Sequence, residues 1–324
     1  MYGLASCLRG EIPASVDWEG LIRQANEHLV TPRLHAVFRA RRDLVADDVR
    51  EYVQLLHDLN LKRNVRLKEQ ALEAIGALNA AGILPTLLKG TIILLTCPAD
   101  ELGSRMTSDL DVLLTPSDLP RASEVLRSLS YRDLDGNIGE HAHAKFYRPQ
   151  DAGMVDLHHR PPGPGKLYPT LQLDFGEAVT IDGCSFCVPA PTSRVVHLIA
   201  HDMFNDGGLS CGRMQLRHLF DVADLLQREQ VDWASARARF SAARLSLAFD
   251  VYLLTLVKIA KAGAADIAAR NVIAHLFFHR QMLMERSDRF RLVNHMAVRA
   301  IRSFRQRLRG AAMKNTLTIS RGLL

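Results

Sequence analysis

Arg105-Met106-Thr107-Ser108-Asp109-Leu110-Asp111-Val112-Leu113-Leu114 reads as a polar loop running into a short buried strand. On a strand, Asp109 and Asp111 at positions i and i+2 share one face a few ångströms apart. Their neighbours Leu110, Val112 and Leu113 are apolar, so the pair stands at a core edge. Two like charges so placed repel unless a cation lies between them. A hard divalent ion with oxygen ligands is the natural compensator, and Mg²⁺ commonly takes one or two carboxylates plus substrate phosphates. Asp-x-Asp is common by chance, however, and the same residues serve equally as a strand entry and a satisfied polar group. The surrounding sequence has to decide.

Upstream, Ile83 to Leu88 is a short apolar run behind Gly82 and around Pro85, predicted as a buried strand that ends at Lys89-Gly90-Thr91. A glycine at a strand mouth lets backbone N–H groups approach an anion, a threonine hydroxyl can donate to it, and a lysine adds charge. The triplet also fits a plain helix start. An apolar segment follows from Ile92 to Leu95. Downstream, Thr115-Pro116-Ser117-Asp118 is a turn and helix-start signature before Leu119 to Leu129. Lys145 to Tyr147 and Met154 to His158 read as a hairpin, and Val179 to Val188 as a β segment turning at Asp182-Gly183. Asp156 is the one acid of its strand, with Val155 and Leu157 pointing the other way. An unpaired buried carboxylate there would be costly.

Farther out, the period becomes helical on both sides. Ala46 to Ala81 carries Val49, Tyr52, Val53, Leu56, Leu59, Leu67, Leu72 and Ile75 at three- and four-residue spacings, with Gly82 as the stop. After Pro191, helices are predicted through Asp202, over Met214 to Gln227 and over Trp233 to Ala262, followed by a basic helical tail. The fold class is therefore α+β. A small mixed-sheet core at 82–190 is flanked by a helical region at 1–81 and a helical domain with a basic tail at 191–324.

Composition removes several classes. With 48% hydrophobic and 23% charged residues, no disorder or collagen-like bias is present. No apolar run has the length of a signal peptide at the start or of a membrane span anywhere, so a cytoplasmic protein without membrane contact is expected. Five scattered cysteines cannot all pair with one another, which fits reduced thiols. From Arg280 onward there are eleven Lys and Arg against two acids, so most of the formal +6 charge lies in the tail.

Leu87-Leu88-Lys89-Gly90, Arg105-x-x-Ser108-Asp109-Leu110-Asp111-Val112-Leu113 and Val155-Asp156-Leu157-His158 together resemble the poorly characterised nucleotidyltransferase family of the polymerase-beta-like superfamily. His197-Leu-Ile-Ala-His201-Asp202 and Leu216-Arg217-His218-Leu219-Phe220-Asp221 are similar to its helical half, so the likeness runs over roughly 83 to 235. The resemblance implies metal binding and catalysis by Asp109, Asp111 and Asp156. It also implies nucleoside triphosphate binding by Lys89, Gly90, Thr91, Arg105 and Ser108, with Mg²⁺ or Mn²⁺ as cofactor. The turn departs from the superfamily's Gly-Gly or Gly-Ser, being Lys-Gly-Thr-Ile here.

The activity so implied moves an NMP from an NTP to an acceptor hydroxyl or phosphate with release of pyrophosphate. The acceptor is open: a small molecule, a peptide or protein, or RNA. The alternative is a catalytically silent module of the same fold that binds a partner protein or RNA. His201, Asp202 and Arg217, polar at helical spacing in apolar segments, are the candidates for the acceptor side. Arg217 and Asp221, four apart, read most simply as a helix-face ion pair. His141, His143, His158 and His159 are read as hydrogen-bond partners of the carboxylates rather than as a zinc site. The tail arginines Arg299, Arg302, Arg305, Arg307 and Arg309 carry no recognisable nucleic-acid motif.

Overall fold

A computed structural model describes residues 1–134, 141–169, 175–263, 271–300 and 303. Most of the tail arginines named above lie outside them; Arg299 is within a helical stretch at 288–300. Among the described residues no helix is long and apolar enough to cross a membrane.

The alternating segments form one mixed sheet. Its strands are β1 (Thr86–Leu87), β2 (Asp109–Leu113), β3 (Arg132–Asp133), β4 (Ala142–Tyr147), β5 (Met154–His158), β6 (Glu177–Ile181) and β7 (Cys184–Val188). They lie in the order β3-β4-β5-β2-β1-β7-β6. The central pair, β2 and β5, is parallel, and its register sets Asp111 directly beside Asp156. The β4–β5 and β6–β7 pairs are antiparallel, as the hairpin readings require. Asp182 (φ +51°) and Gly183 (φ +77°) make the two-residue β6–β7 turn, both in the left-handed region that such tight turns need.

β1 is shorter than the apolar run predicts. Pro85 has no N–H to give and contributes only its carbonyl, which accepts from Cys187 N–H at 2.8 Å. Beyond Leu88 the chain enters helix α5 (Lys89–Thr96), so the apolar segment Ile92–Leu95 is helical.

Among the described residues the other helices include α1 (Tyr2–Leu8), α2 (Trp18–Glu27), α3 (Leu34–Ala40), α4 (Asp47–Ala80), α6 (Leu119–Ser128), α7 (Pro191–Ala200), α8 (Gly208–Cys211), α9 (Leu216–Arg228), α10 (Trp233–Ala242), α11 (Ser246–Thr255) and α12 (Val272–Arg286). The predicted helix over 233–262 is two helices, broken at Arg244, which takes φ +58°. The helix predicted through Asp202 ends as α7 at Ala200 and continues as a π-helical turn, His201–Asn205.

Among the described residues, apolar side chains gather in two cores. One combines the N-terminal helices, from Leu4 to Val53, with the C-terminal ones, from Leu167 to Met282. The other lies on the sheet, between β2, β5, β7 and the second half of α4. The 34-residue α4 serves both: Val53 belongs to the first core, and Leu67, Ala71, Ala74, Ile75 and Leu78 to the second. At 1.5 Å per residue it spans about 50 Å, enough to pass along both.

Candidate active site

Asp111 and Asp156 are the floor of the site. Each is 4% exposed. Water cannot solvate such charges, so they must be paired within the protein. Asp111 Oδ1 accepts from Lys89 Nζ at 2.7 Å and lies 2.9 Å from His158 Nε2. Lys145 Nζ, from the neighbouring strand β4, reaches Asp156 Oδ2 at 2.6 Å. Two lysines thus occupy positions where the sequence called for a cation.

The two carboxyls respond differently. Burial works against ionisation of Asp111, but Lys89 and His158 outweigh it and hold the group well below the usual carboxylate range. Burial raises Asp156, and Lys145 only partly offsets it; the negative charges of Asp111 and Asp109 add to the rise. Asp156 Oδ1 is moreover buried with no hydrogen-bond partner, as is His158 Nδ1. Ligand atoms of Asp111, Asp156 and His158 lie within 4.8 Å of one another. That donor set, with one carboxylate oxygen left unsatisfied, fits a divalent cation.

Asp109 stands at the open end of β2, half-buried, and accepts from Ser108 Oγ at 2.9 Å. Lys89 is held against Asp111 by an unusual backbone, φ +47° at the first residue of α5, a conformation that costs a side chain with a Cβ on the order of 1 kcal/mol. Thr91 is buried, and its Oγ1 accepts from Asp111 N–H at 2.8 Å. It braces β2 from beneath. A Cβ on Gly90 would come within 2.3 Å of Arg105 Nη1, so this glycine makes room for the guanidinium.

Lys89, Gly90, Arg105, Thr107, Ser108, Asp109, Asp111, His201, Arg217 and His218 line one cleft. Its helical wall is built from the π-turn and α9. Arg105 grips Asp221 through Nε, at 3.0 Å to both oxygens, and through Nη2 at 2.7 Å. Its Nη1 donates to Met106 O and Thr107 Oγ1. Asp221 is therefore paired with Arg105 across the fold, rather than with Arg217 on its own helix, and this ion pair holds its carboxyl down despite burial. Arg217 donates from Nη1 to Met106 O at 3.1 Å, while its buried Nε has no partner. Burial and the adjacent Arg105 depress its ionisation. Asp202 lies behind the wall, 2.6 Å from His218 Nδ1. His141 stacks on His158 at 5.2 Å; burial and the charges of His158 and Lys89 push its imidazole down to about 3. Burial thus favours its neutral form.

The loop that delivers Asp109 is fastened from α4. Asn60 Nδ2 donates to Gly103 O and Arg105 O, and Asn64 Nδ2 to Leu102 O and Arg105 O. Arg63 donates to the carbonyls of Thr107, Ser108 and Ala152. Gln70 exchanges two hydrogen bonds with Gly153, at the entry to β5. The positions 60, 63, 64 and 70 follow one helix face. That polar face between the apolar positions of α4 was the available signal for these residues, and the sequence reading passed over it.

A family model described as uncharacterised nucleotidyltransferase matches residues 14–260. No curated protein and no solved structure matches the chain. The matched span takes in the sheet, the carboxylate floor, the helical wall and α4. The chain belongs to the uncharacterised nucleotidyltransferase family.

Proposed function

We propose that the chain is a Mg²⁺-dependent nucleotidyltransferase, with Mn²⁺ as a substitute, that moves an NMP from an NTP to an acceptor hydroxyl or phosphate. The observation that carries this reading is the registered pair Asp111 and Asp156, with Asp156 Oδ1 buried and unsatisfied. Asp109, Asp111 and Asp156 would hold the cation, which when bound neutralises triphosphate charge and the charge developing on the leaving group.

The chain's own residues supply the rest. Lys89 Nζ can exchange Asp111 for a phosphate oxygen within the same cleft. Arg217 offers a guanidinium whose donors are not fully used, whereas Arg105 is committed to Asp221 and serves to position the wall. Gly90 and Ser108 line the same cleft, where the remaining phosphate oxygens would lie. The acceptor oxygen attacks the α-phosphorus, the bond from that phosphorus to the bridging oxygen breaks, and pyrophosphate leaves. The acceptor's proton passes to solvent or to the Asp156 carboxylate, which must be ionised to receive it. The acceptor approaches along the wall of His201 and Arg217, with Asp202 holding His218 from behind.

The competing reading, a silent module that binds a partner protein or RNA, draws on Lys89 and Lys145 already neutralising the carboxylates. Incubation with each α-labelled NTP, Mg²⁺ and host-cell extract separates the two. Transfer by the wild type is expected, with a drop of at least ~100-fold in Asp109→Asn or Asp111→Asn, equivalent to roughly 2.7 kcal/mol of barrier. Near-wild-type turnover in the Asp111 variant, or no Mg²⁺-dependent thermal stabilisation by any NTP, overturns the enzyme reading.

A further inference from the structure

The helical wall itself holds a second group of ligand-type side chains, two of which, His201 and His218, also line the cleft. The π-turn His201–Asn205 widens the helix by one residue per turn, and Gly207, at φ +82°, reverses the chain after it. Asp206 follows the turn directly, and His218 enters from the first turns of α9. One ligand atom from each of His201, Asp202, Asp206 and His218 lies within 4.8 Å of the others. This group shares no residue with the carboxylate floor.

The distances within it are informative. His201 Nδ1 is 3.3 Å from Asp206 Oδ2 and 3.7 Å from Asp202 Oδ1. The atom is buried, yet its approach to neither carboxylate has the geometry of a hydrogen bond. Burial alone would lower the His201 imidazole, but the two carboxylates outweigh it and raise it, so a cation entering between them must displace a proton there. Neighbouring ligands around a four-coordinate zinc with bonds of about 2.0–2.2 Å are about 3.3–3.6 Å apart, so the two His201 spacings approximate tetrahedral edges. His218 Nδ1 and Asp202 Oδ1, at 2.6 Å, share a proton that a metal must displace, because only deprotonated nitrogens ligate. With both imidazoles neutral the four side chains carry two negative charges, matching a divalent ion. Two nitrogens and two oxygens suit zinc or a similar first-row ion better than Mg²⁺, which prefers oxygen alone.

We propose that His201, Asp202, Asp206 and His218 form a second divalent-cation site, of the zinc type, that ties the π-turn to α9. The site uses none of the floor carboxylates, so metal uptake there is read separately from nucleotidyl transfer, although His201 and His218 line the same cleft. Its occupation fixes the wall that carries Arg217 and faces the carboxylate floor.

The test uses the full chain with Asp111→Asn and Asp156→Asn, so that the floor no longer competes. After chelation and dialysis, Zn²⁺ is titrated calorimetrically and Co²⁺ by visible absorption. One equivalent per chain, with the intense d–d bands of four-coordinate Co²⁺, is expected. Adding Asp206→Asn or His201→Gln should weaken binding by more than the roughly 10–100-fold typical of losing an outer partner of a metal ligand. Circular dichroism and Tm of each variant establish that it is folded. Should the floor substitutions prevent folding, the same titration of the wild type reads loss of one Zn²⁺ equivalent in Asp206→Asn. No stoichiometric Zn²⁺ uptake, six-coordinate Co²⁺ spectra, or uptake indifferent to both added substitutions would overturn the proposal and leave an ion-pair network.

Discussion

On the helical wall of the cleft, Arg105 places three contacts on Asp221 and two more on the chain beside it. On the sheet floor, at a similar depth, Asp156 keeps one oxygen with no partner and Asp111 leans on a lysine and a histidine. Both regions are buried and charged, but one is saturated and the other is not. Saturated networks hold shape, since every donor lost exposes a desolvated acceptor. Groups with capacity left over are those able to take a ligand or a proton. The contrast supports the proposal that the wall's Arg105–Asp221 pair is scaffold and that the chemistry takes place on the floor.

The largest effect should follow from breaking the saturated side. Arg105→Ala leaves Asp221 buried without its partner, and Asp221→Ala strands the guanidinium; either should cost about 3–5 kcal/mol of stability. The double variant should recover part of that loss, because no lone charge remains. Urea unfolding of the three variants measures it. A loss under 1 kcal/mol in both single variants would show that the pair is dispensable and that Arg105 is free to serve the triphosphate.

A smaller effect tests how the wall's order reaches the floor. Asn60 and Asn64 each satisfy two carbonyls of the loop before Asp109. Replacing either by Ala should cost about 1–3 kcal/mol, since Gly103 O or Leu102 O loses its side-chain donor while Arg105 O keeps the other asparagine. Activity should fall further than stability explains, through misplacement of Asp109. If both variants lose stability but keep full turnover, the loop's position is not what sets the floor.

The same contrast explains what could be read from sequence. The floor was legible because strands alternate: Asp109 and Asp111 at i and i+2, and Asp156 among apolar neighbours, share faces by the geometry of a single strand. The helical regions were legible from their period, and α4 appears within a residue of its predicted ends. The wall was not. The Arg105–Asp221 pair joins residues 116 apart, and a local rule therefore assigned Asp221 to Arg217, four positions away. Lys145 was read only as part of a strand, although the β4–β5 register sets it opposite Asp156. The π-turn at His201 leaves no mark in the apolar spacing, since one extra residue per turn over five residues is too short to shift it. Local periodicity carries elements and their faces, whereas cross-chain charge pairing is a property of the assembled fold.

The last effect is one of sign rather than size, and it compares the two floor carboxyls directly. Asp111 is held well below the usual range, so its native-state ionisation contributes stability that is present above the ordinary carboxylate pKa and lost as the pH falls through that depressed value. Asp156 is raised, so its contribution runs the other way: it is complete below the unfolded pKa and disappears as the pH rises through the folded one. Asp111→Asn should therefore lose stability chiefly at neutral pH and flatten the acid limb of the stability curve. Asp156→Asn should be relatively better tolerated at neutral pH than at pH 3, because the amide replaces a charge that burial opposes and Lys145 only partly offsets. Urea midpoints from pH 3 to 7, in chelator so that no cation couples to either group, would resolve the two slopes. Parallel slopes in the two variants would mean that the carboxyls titrate as equals, and the division between a held and an available oxygen on the floor would fall.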